Sequence, residues 1–437
     1  MFLFGFAFAL IAADTIQINS HPTCSPEEVG MQSSILNRID KIVRMGMKAK
    51  AYPGCQVFIM KDGKVVYDKC FGSLTYESLE LVRPNTLYDL ASLSKTTGTL
   101  LAIMKLYDEG KLHLTDSASR FLPYLRGTDK EQITITDLLF HETGFPASLN
   151  CYQMLIERKA PSDSIQDSTQ TVHLDSRTFR YKPGWFSPIP SSNFTLQLSD
   201  SLYIPACFHD SVRSMIAHIR LRSKTYLYSC INFIVLKEIA EAISGMPMDA
   251  FLDSTYYKPM GLKKTTYLPL RKYPKEMIAP TLKRDFLRNG LIQGFVHDPD
   301  AAFIGGVSGN AGLFSTAKEV ALIHQMLLNA GELDGKRYLC EETCKVFTTT
   351  TSASGRRGLG FDKPIQGKPG HSPCCVSAPK EVYGHTGYTG TACWVDPVHK
   401  LVYVFLSNRT YPNDGVNKLA RMGIRTDIQE VIYQSLK

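Results

Sequence analysis

The residue spacing that holds most chemistry is Ser92-Leu93-Ser94-Lys95, inside a polar-to-apolar run from Tyr88 to Met104. The run reads as a helix that Asp89 or a neighbour caps and Gly110 ends, with Ser92 in its first turn. Residues three apart share a helical face, so the Lys95 amine leans over the Ser92 hydroxyl while Ser94 faces elsewhere. A serine hydroxyl needs a neighbour to take its proton before it is a good nucleophile, and a desolvated lysine amine is neutral enough to do so. The start of a helix also favours negative charge developing near Ser92.

Four residues of such common types recur by chance. Ser315-Thr316-Ala317-Lys318 and Ser377-Ala378-Pro379-Lys380 fit the same pattern. In the first, Thr316 and Glu319 read as a capping box that opens a helix from Val320 to Leu328. In the second, Pro379 breaks the helical presentation.

Two further motifs, downstream and in a fixed order, set Ser92 apart. Tyr228-Ser229-Cys230 precedes an amphipathic helix from Asn232 to Ser244 that Gly245 terminates, and His385-Thr386-Gly387 precedes strand-like Cys393 to Asp396 and Leu401 to Asn408. Ser-x-x-Lys, Tyr-Ser-Cys and His-Thr-Gly in this order resemble the serine β-lactamase and penicillin-binding-protein-like hydrolases. The branch is that of class C β-lactamases, D-amino-acid peptidases and related esterases. The resemblance runs from about Ser34 to the C-terminus and is supported by Ile133 to Gly144, Tyr228 to Gly245, Gly305 to Leu328 and Gly384 to Thr391.

The resemblance implies a role for each motif. Ser92 attacks a carbonyl carbon and is acylated, and Lys95 removes its proton. Tyr228 shuttles protons, its pKa lowered by the lysine's field. The third motif lies on a strand facing the serine, where the backbone N–H groups of Ser92 and Tyr388 form the oxyanion hole and the bareness of Gly387 leaves the substrate's approach open. Two positions depart from the β-lactamase pattern. Cys230 stands where asparagine orients the substrate, and a thiol cannot make that amide's pair of hydrogen bonds. His385 stands where lysine is usual, and with an ordinary pKa of about 6.5 it is mostly neutral at neutral pH unless an anion raises it.

These motifs need a scaffold. The expected fold class is α/β (α+β), β-lactamase/transpeptidase-like: an antiparallel sheet built from both termini and flanked by helices, with an inserted, mainly helical lobe. The sheet lobe is expected over 34–115 plus 290–437 and the helical lobe over 116–289, in a single hydrolase domain over 34–437. A helix-like stretch from Ser34 to Lys48 and a hairpin of Gln56–Met60 and Lys64–Asp68 lead into Ser92, and a helix from Gly415 to Leu436 closes the chain. Residues 150–224 carry the weakest pattern and read as a variable insertion. His141, beside the end of a short helix, reads as a structural hydrogen-bond partner.

Composition narrows the function classes. The charge of +8 is dispersed along 437 residues, which argues against nucleic acid as a partner. Residues 1–13 resemble the core and cleavage region of a secretory signal without its basic start, and no other run approaches membrane-spanning length. The eleven cysteines show no paired metal spacing; Cys340-x-x-x-Cys344 and His371-x-x-Cys374-Cys375 are the only clusters. The reading is an exported, periplasmic or secreted serine hydrolase without metal or organic cofactor. It acts through an acyl-enzyme on esters or amides, with peptidoglycan-derived D-amino-acid peptides among its candidate substrates. Two alternatives are a penicillin-binding or scaffold module that acylates without turnover and a metal-dependent hydrolase built on the Cys/His clusters.

Overall fold

The computed structural model describes residues 21–158, 171–174, 177–366 and 372–437. The expected signal-like segment 1–13 lies outside them. Five strands make the principal sheet: β1 (Gly54–Lys61), β2 (Lys64–Gly72), β3 (Tyr383–Thr386), β4 (Ala392–Asp396) and β5 (Leu401–Ser407). Their spatial order is β3-β4-β5-β1-β2 and every neighbouring pair is antiparallel. The two ends of the chain thus complete one sheet, as expected for a β-lactamase/transpeptidase-like fold.

Strand β1 reads as a near-continuous apolar run because it is central and covered on both faces. Its alternate residues part accordingly. Val57 and Ile59 join Tyr403 and Phe405 of β5 in a core with Ile39, Val43, Ile428 and Ile432. Those partners come from helix α1 (Arg38–Lys48) and the C-terminal helix Ile424–Gln434. Phe58 and Met60 face the other way, into a larger core with Val320, Ala321 and Ile323 of the helix Ala317–Leu328.

Between the terminal strands lie α2 (Leu100–Asp108), α3 (Ile135–Phe140), α4 (Cys230–Ser244) and α5 (Ala317–Leu328), and α6 (Ile424–Gln434) closes the chain. Helix α4 is buried without a break from Ile231 to Ala240, so it runs through the core rather than along the surface. The expected insertion holds a three-stranded sheet of Ile156–Arg158, Thr171–Leu174 and Arg177–Tyr181, a pair Leu196–Ser199 and Leu202–Ile204, and the helix Phe208–His218. Among the described residues no helix is long and apolar enough to cross a membrane.

Several helix boundaries differ from expectation for local reasons. The final helix is divided because Gly423 adopts a left-handed φ of 63°, which separates Lys418–Arg421 from α6. The segment 34–48 is likewise split at Asn37. Thr316 caps α5 by accepting from the Glu319 N–H, but the Glu319 carboxylate does not return the bond. It accepts instead from the backbone N–H groups of Lys263, Lys264 and Thr265, so the expected capping box is half made.

Candidate active site

A small sheet of Tyr88–Asp89, Leu313–Ser315 and Thr266–Tyr267 brings the chain to Ser92. The Asp89 carboxylate accepts from the N–H groups of Ala91 (2.8 Å) and His297 (2.6 Å). Burial pushes its pKa up to about 6 against the pull of those two bonds. The Leu90 N–H donates to Leu313 O (2.9 Å), and the hydroxyls of Thr389 and Thr391 donate to the carbonyls of Asp89 (2.7 Å) and Leu90 (2.8 Å). Held from three sides, Ala91 sits at φ 47°, a strained region for a residue with a Cβ.

This anchoring corrects the expectation of one helix opening at Ser92. Ser92 lies in a single 3₁₀ turn, Ala91–Leu93; Lys95–Thr99 come next as a π-helical turn, and only then does α2 begin. Asp89 caps the turn through Ala91 rather than the helix. The i to i+3 relation survives, because both short turns keep Lys95 on the side of Ser92. Lys95 Nζ lies 3.1 Å from Ser92 Oγ, and the Tyr228 hydroxyl donates to the same oxygen at 2.8 Å.

Lys95 is fully buried, and its amine also donates to Asn310 O at 2.8 Å and faces Cys230 Sγ at 3.6 Å. Three acceptors match the three protons of an ammonium. The rings of Tyr228 and Phe233 lie 5.2 and 5.6 Å from the nitrogen, which further favours the cation. Burial works against the charge, but the Cys230 thiol and the Tyr228 phenol outweigh it, and the Lys95 pKa is raised. The resting lysine therefore holds its proton, contrary to the neutral amine expected from desolvation alone. Tyr228 also differs from expectation: burial raises its pKa in spite of the lysine's field, so the resting phenol is neutral.

Tyr228 is set in place from below. Its neighbour Ser229 caps α4, accepting from the Ile231 N–H and donating to Pro146 O at 2.6 Å. His141 ends α3 in a left-handed conformation and stacks under the Tyr228 ring, centroids 4.6 Å apart. Its Nδ1 faces the Ser229 N–H at 3.2 Å and the Asn232 amide nitrogen at 2.9 Å. Burial, then Arg357 and Lys95, hold its pKa well below normal, so it acts as a neutral acceptor. The residue is structural, as its place beside a helix end suggested.

The His385 motif sits on the edge strand β3. His385 is buried, and its Nδ1 donates to Thr386 O at 2.7 Å. Burial pushes its pKa down to about 3, although Asp362 pulls the other way. The imidazole is therefore neutral at neutral pH, as the sequence implied, and the nearby carboxylate does not reverse that. Gly387 has a packing reason for being glycine: a Cβ there would meet Thr391 Oγ1 and Leu90 O at 2.0 and 2.3 Å, so the residue lets the β3–β4 turn dock on the segment before Ser92.

Ser92 and Tyr388 line a cavity of about 540 Å³ together with Arg284, His297, Asp298 and Asp414. The volume suits a small molecule or the end of a peptide. Tyr388 is half exposed, its carbonyl accepting from Arg409 Nε at 2.6 Å. Asp89 was legible only as a cap, and His297, Asp298, Asn310 and Asp414 were not legible as part of the site, because single polar residues outside the regular elements carry no periodic signal.

The two decoy motifs lead elsewhere. Ser315 Oγ is buried against Thr265 Oγ1 at 2.7 Å, and Ser377 Oγ donates to Glu430. Among the described residues no group of three or more His, Cys, Asp or Glu side chains is placed to hold a metal ion. Cys340 Sγ caps the helix Glu341–Thr349, Cys344, Cys374 and Cys375 are buried, and His371 lies outside the described residues.

The beta-lactamase family profile matches residues 39–424. A protein of Escherichia coli O157:H7 named "Putative D-alanyl-D-alanine carboxypeptidase" is 31% identical over 416 residues, which cover 89% of this chain and 85% of that protein. Among solved structures, the hydrolase EstCE1, described as having promiscuous acyltransferase activity, superposes with a TM-score of 0.64 at 18% identity, covering 92% of this chain and 99% of that one. A penicillin-binding protein homologue from Caulobacter crescentus gives 0.64 at 16% identity over 93% and 99% of the two chains. At such identities the structural likeness speaks to the fold.

Proposed function

The chain belongs to the beta-lactamase family of serine hydrolases, and on that premise we propose that it cleaves amide or ester bonds through an acyl-enzyme on Ser92, with peptides ending in D-alanine as its principal substrates. The observation that carries the reading is the convergence of Lys95 Nζ and Tyr228 OH on Ser92 Oγ, at 3.1 and 2.8 Å, beside a cavity open to a small ligand.

The resting site holds one proton too many. In the proposed cycle Lys95 first loses a proton to solvent; Ser92 Oγ then attacks the scissile carbonyl carbon as its own proton passes to the lysine amine. The N–H groups of Ser92 and Tyr388 receive the oxyanion. Tyr228 donates its phenol proton to the departing amine or alkoxide and regains one from Lys95. This leaves an ester on Ser92 and restores the neutral lysine. Water attacks that ester with its proton accepted by the same pair, the acyl C–Oγ bond breaks as the pair returns a proton to Ser92 Oγ, and the acid product leaves. His385, buried and neutral, lies beside the Tyr228 ring, centroids 6.0 Å apart, and supplies no charge.

D-alanyl peptides come from cell-wall material, which agrees with a periplasmic or secreted protein and with peptidoglycan fragments as partners. The test is release of D-alanine from an N-acetylated tripeptide ending in D-Ala-D-Ala, followed with hydrolysis of a nitrophenyl ester and intact-mass analysis after penicillin or fluorophosphonate. Wild type should release product and gain one adduct. Ser92→Ala should lose both, and Ser315→Ala neither. Retention of activity in Ser92→Ala would overturn the reading.

A second reading, acylation without turnover, is favoured by one observation: Cys230 presents a thiol toward Lys95 where the β-lactamase pattern has an amide. A stoichiometric adduct without continued product release selects it. If the missing amide limits β-lactam turnover, Cys230→Asn should raise that rate.

A further inference from the structure

Residues between Thr348 and Pro397 wall a second cavity, of about 960 Å³, that shares no lining residue with the cavity at Ser92. Lys363 lines it and is 4% exposed. Its ammonium donates to two backbone carbonyls, Glu381 O at 3.0 Å and Thr348 O at 3.4 Å, and among the described residues no carboxylate pairs with it. A buried charge without a counter-charge is costly to fold around, and burial pushes this amine down to about 8.

The surroundings add to the excess rather than relieve it. Arg356, also in the wall, shares a single carboxylate with Arg357: both guanidiniums pair with Asp362, the former at 2.9 Å. Lys380, also lining the cavity, is exposed and unpaired among the described residues. Among the described residues at this wall, four cations, Arg356, Arg357, Lys363 and Lys380, thus stand against two carboxylates, Asp362 and Glu381, an excess of two positive charges. Glu381 also lines the cavity, exposed, near enough to favour the Lys363 charge but without bonding to it.

We propose that this cavity is a binding site for an organic anion bearing carboxylate or phosphate groups, held by Lys363 within and Lys380 at the rim. The volume exceeds what a single inorganic ion fills and lies within the range of small-molecule sites. An ammonium that faces two carbonyls and the Tyr383 ring, 5.9 Å away, keeps its attraction for an incoming anion, and a charge-assisted bond to that anion is stronger than one to a neutral acceptor. The site also adjoins the machinery around Ser92. Tyr383, in the cavity wall, precedes His385 by two residues on β3 and so shares its face of the sheet, and Arg356 lies over the ring of Tyr226 at 5.7 Å, two residues before Tyr228.

The test is isothermal titration of the full chain with citrate and with inorganic phosphate at constant ionic strength, with sodium chloride as the control. At least one of the two should bind above the control: citrate alone assigns a carboxylate ligand, phosphate alone a phosphate ligand, and both the shared chemistry. Affinity should fall at least tenfold in Lys363→Gln, whose amide still donates to a carbonyl, and at least tenfold in Lys380→Glu, an exposed position that leaves folding intact. Ser92→Ala should bind as wild type does, which separates this site from the proposed hydrolytic one. No binding above chloride, unchanged affinity in Lys380→Glu, or loss of binding in Ser92→Ala would overturn the proposal.

Discussion

Lys95 and Lys363 are both almost wholly withdrawn from water, yet their surroundings treat the same functional group in opposite ways. Lys95 has an acceptor for each proton and two ionisable neighbours, a thiol and a phenol, that favour its charge; its pKa is raised. Lys363 has two carbonyls and a carboxylate that does not bond to it; its pKa is pushed down. Burial depth therefore does not fix the direction in which an internal lysine's pKa moves. The number and kind of acceptors does, and it also separates the two roles: a cation held for proton transfer beside Ser92, and one held for an incoming anion.

Removing each amine in turn separates the two lysines. Lys95→Met should lower kcat/KM for a nitrophenyl ester by about 10³-fold or more, since it deletes the base and the only amine touching Ser92 Oγ among the described residues. Lys363→Gln should leave hydrolysis of that uncharged ester within about twofold of wild type, a substitution away from the reacting atoms. Steady-state kinetics on both variants decides the matter. Comparable losses would mean that the second cavity belongs to the hydrolytic site.

Tyr228→Phe comes next. The ring keeps its stacking on His141 while the donor to Ser92 Oγ is lost, so the expected cost is about 10²-fold in kcat with little change in melting temperature. The effect should be greatest for amides, whose leaving group needs the proton most. Equal losses for an amide and for a nitrophenyl ester would remove the phenol from the leaving-group step. His141→Phe tests the layer beneath. It leaves the Ser229 N–H and the Asn232 amide without their acceptor, at roughly 1–3 kcal/mol each if both stay buried and unpaired. Denaturant unfolding should show a loss of about 2–6 kcal/mol, the scale of those two terms together. A variant as stable as wild type would show that the imidazole is only a spacer.

The contrast between the two lysines also marks what a sequence makes legible. Ser92, Lys95 and Tyr228 stand in ordered motifs with fixed local spacing, and the sheet assembled from both termini is implied by strand-like runs at the two ends of the chain. The charge states were not legible. They depend on Asn310 O and on the sum of burial and neighbours across 215 residues of sequence, which no local pattern encodes. The 3₁₀ and π turns at Ser92 were hidden for a similar reason. Propensity favours one continuous helix, and only the bonds from Asp89, Leu313, Thr389 and Thr391 override it. Lys363 gave no sign at all, since a single lysine after an aspartate reads as an ordinary surface pair.

The smallest expected effect tests the acceptors of Lys95 most directly. If hydrolysis requires Lys95 without its extra proton, and its pKa lies above the ordinary lysine value, then at neutral pH only a small fraction of the protein is in the active form. That fraction grows as pH rises, so log kcat/KM should climb steadily from about pH 6 to pH 9. His385, with its pKa pushed down to about 3, adds no inflection in that window. Cys230→Ala removes one of the three acceptors that hold the lysine ammonium. The ammonium is then less favoured, the ascending limb moves to lower pH, and the rate at neutral pH rises by about two- to fivefold. A flat profile in wild type, or a fall in rate in Cys230→Ala, would mean that the proton leaves Ser92 by a route that does not pass through the lysine.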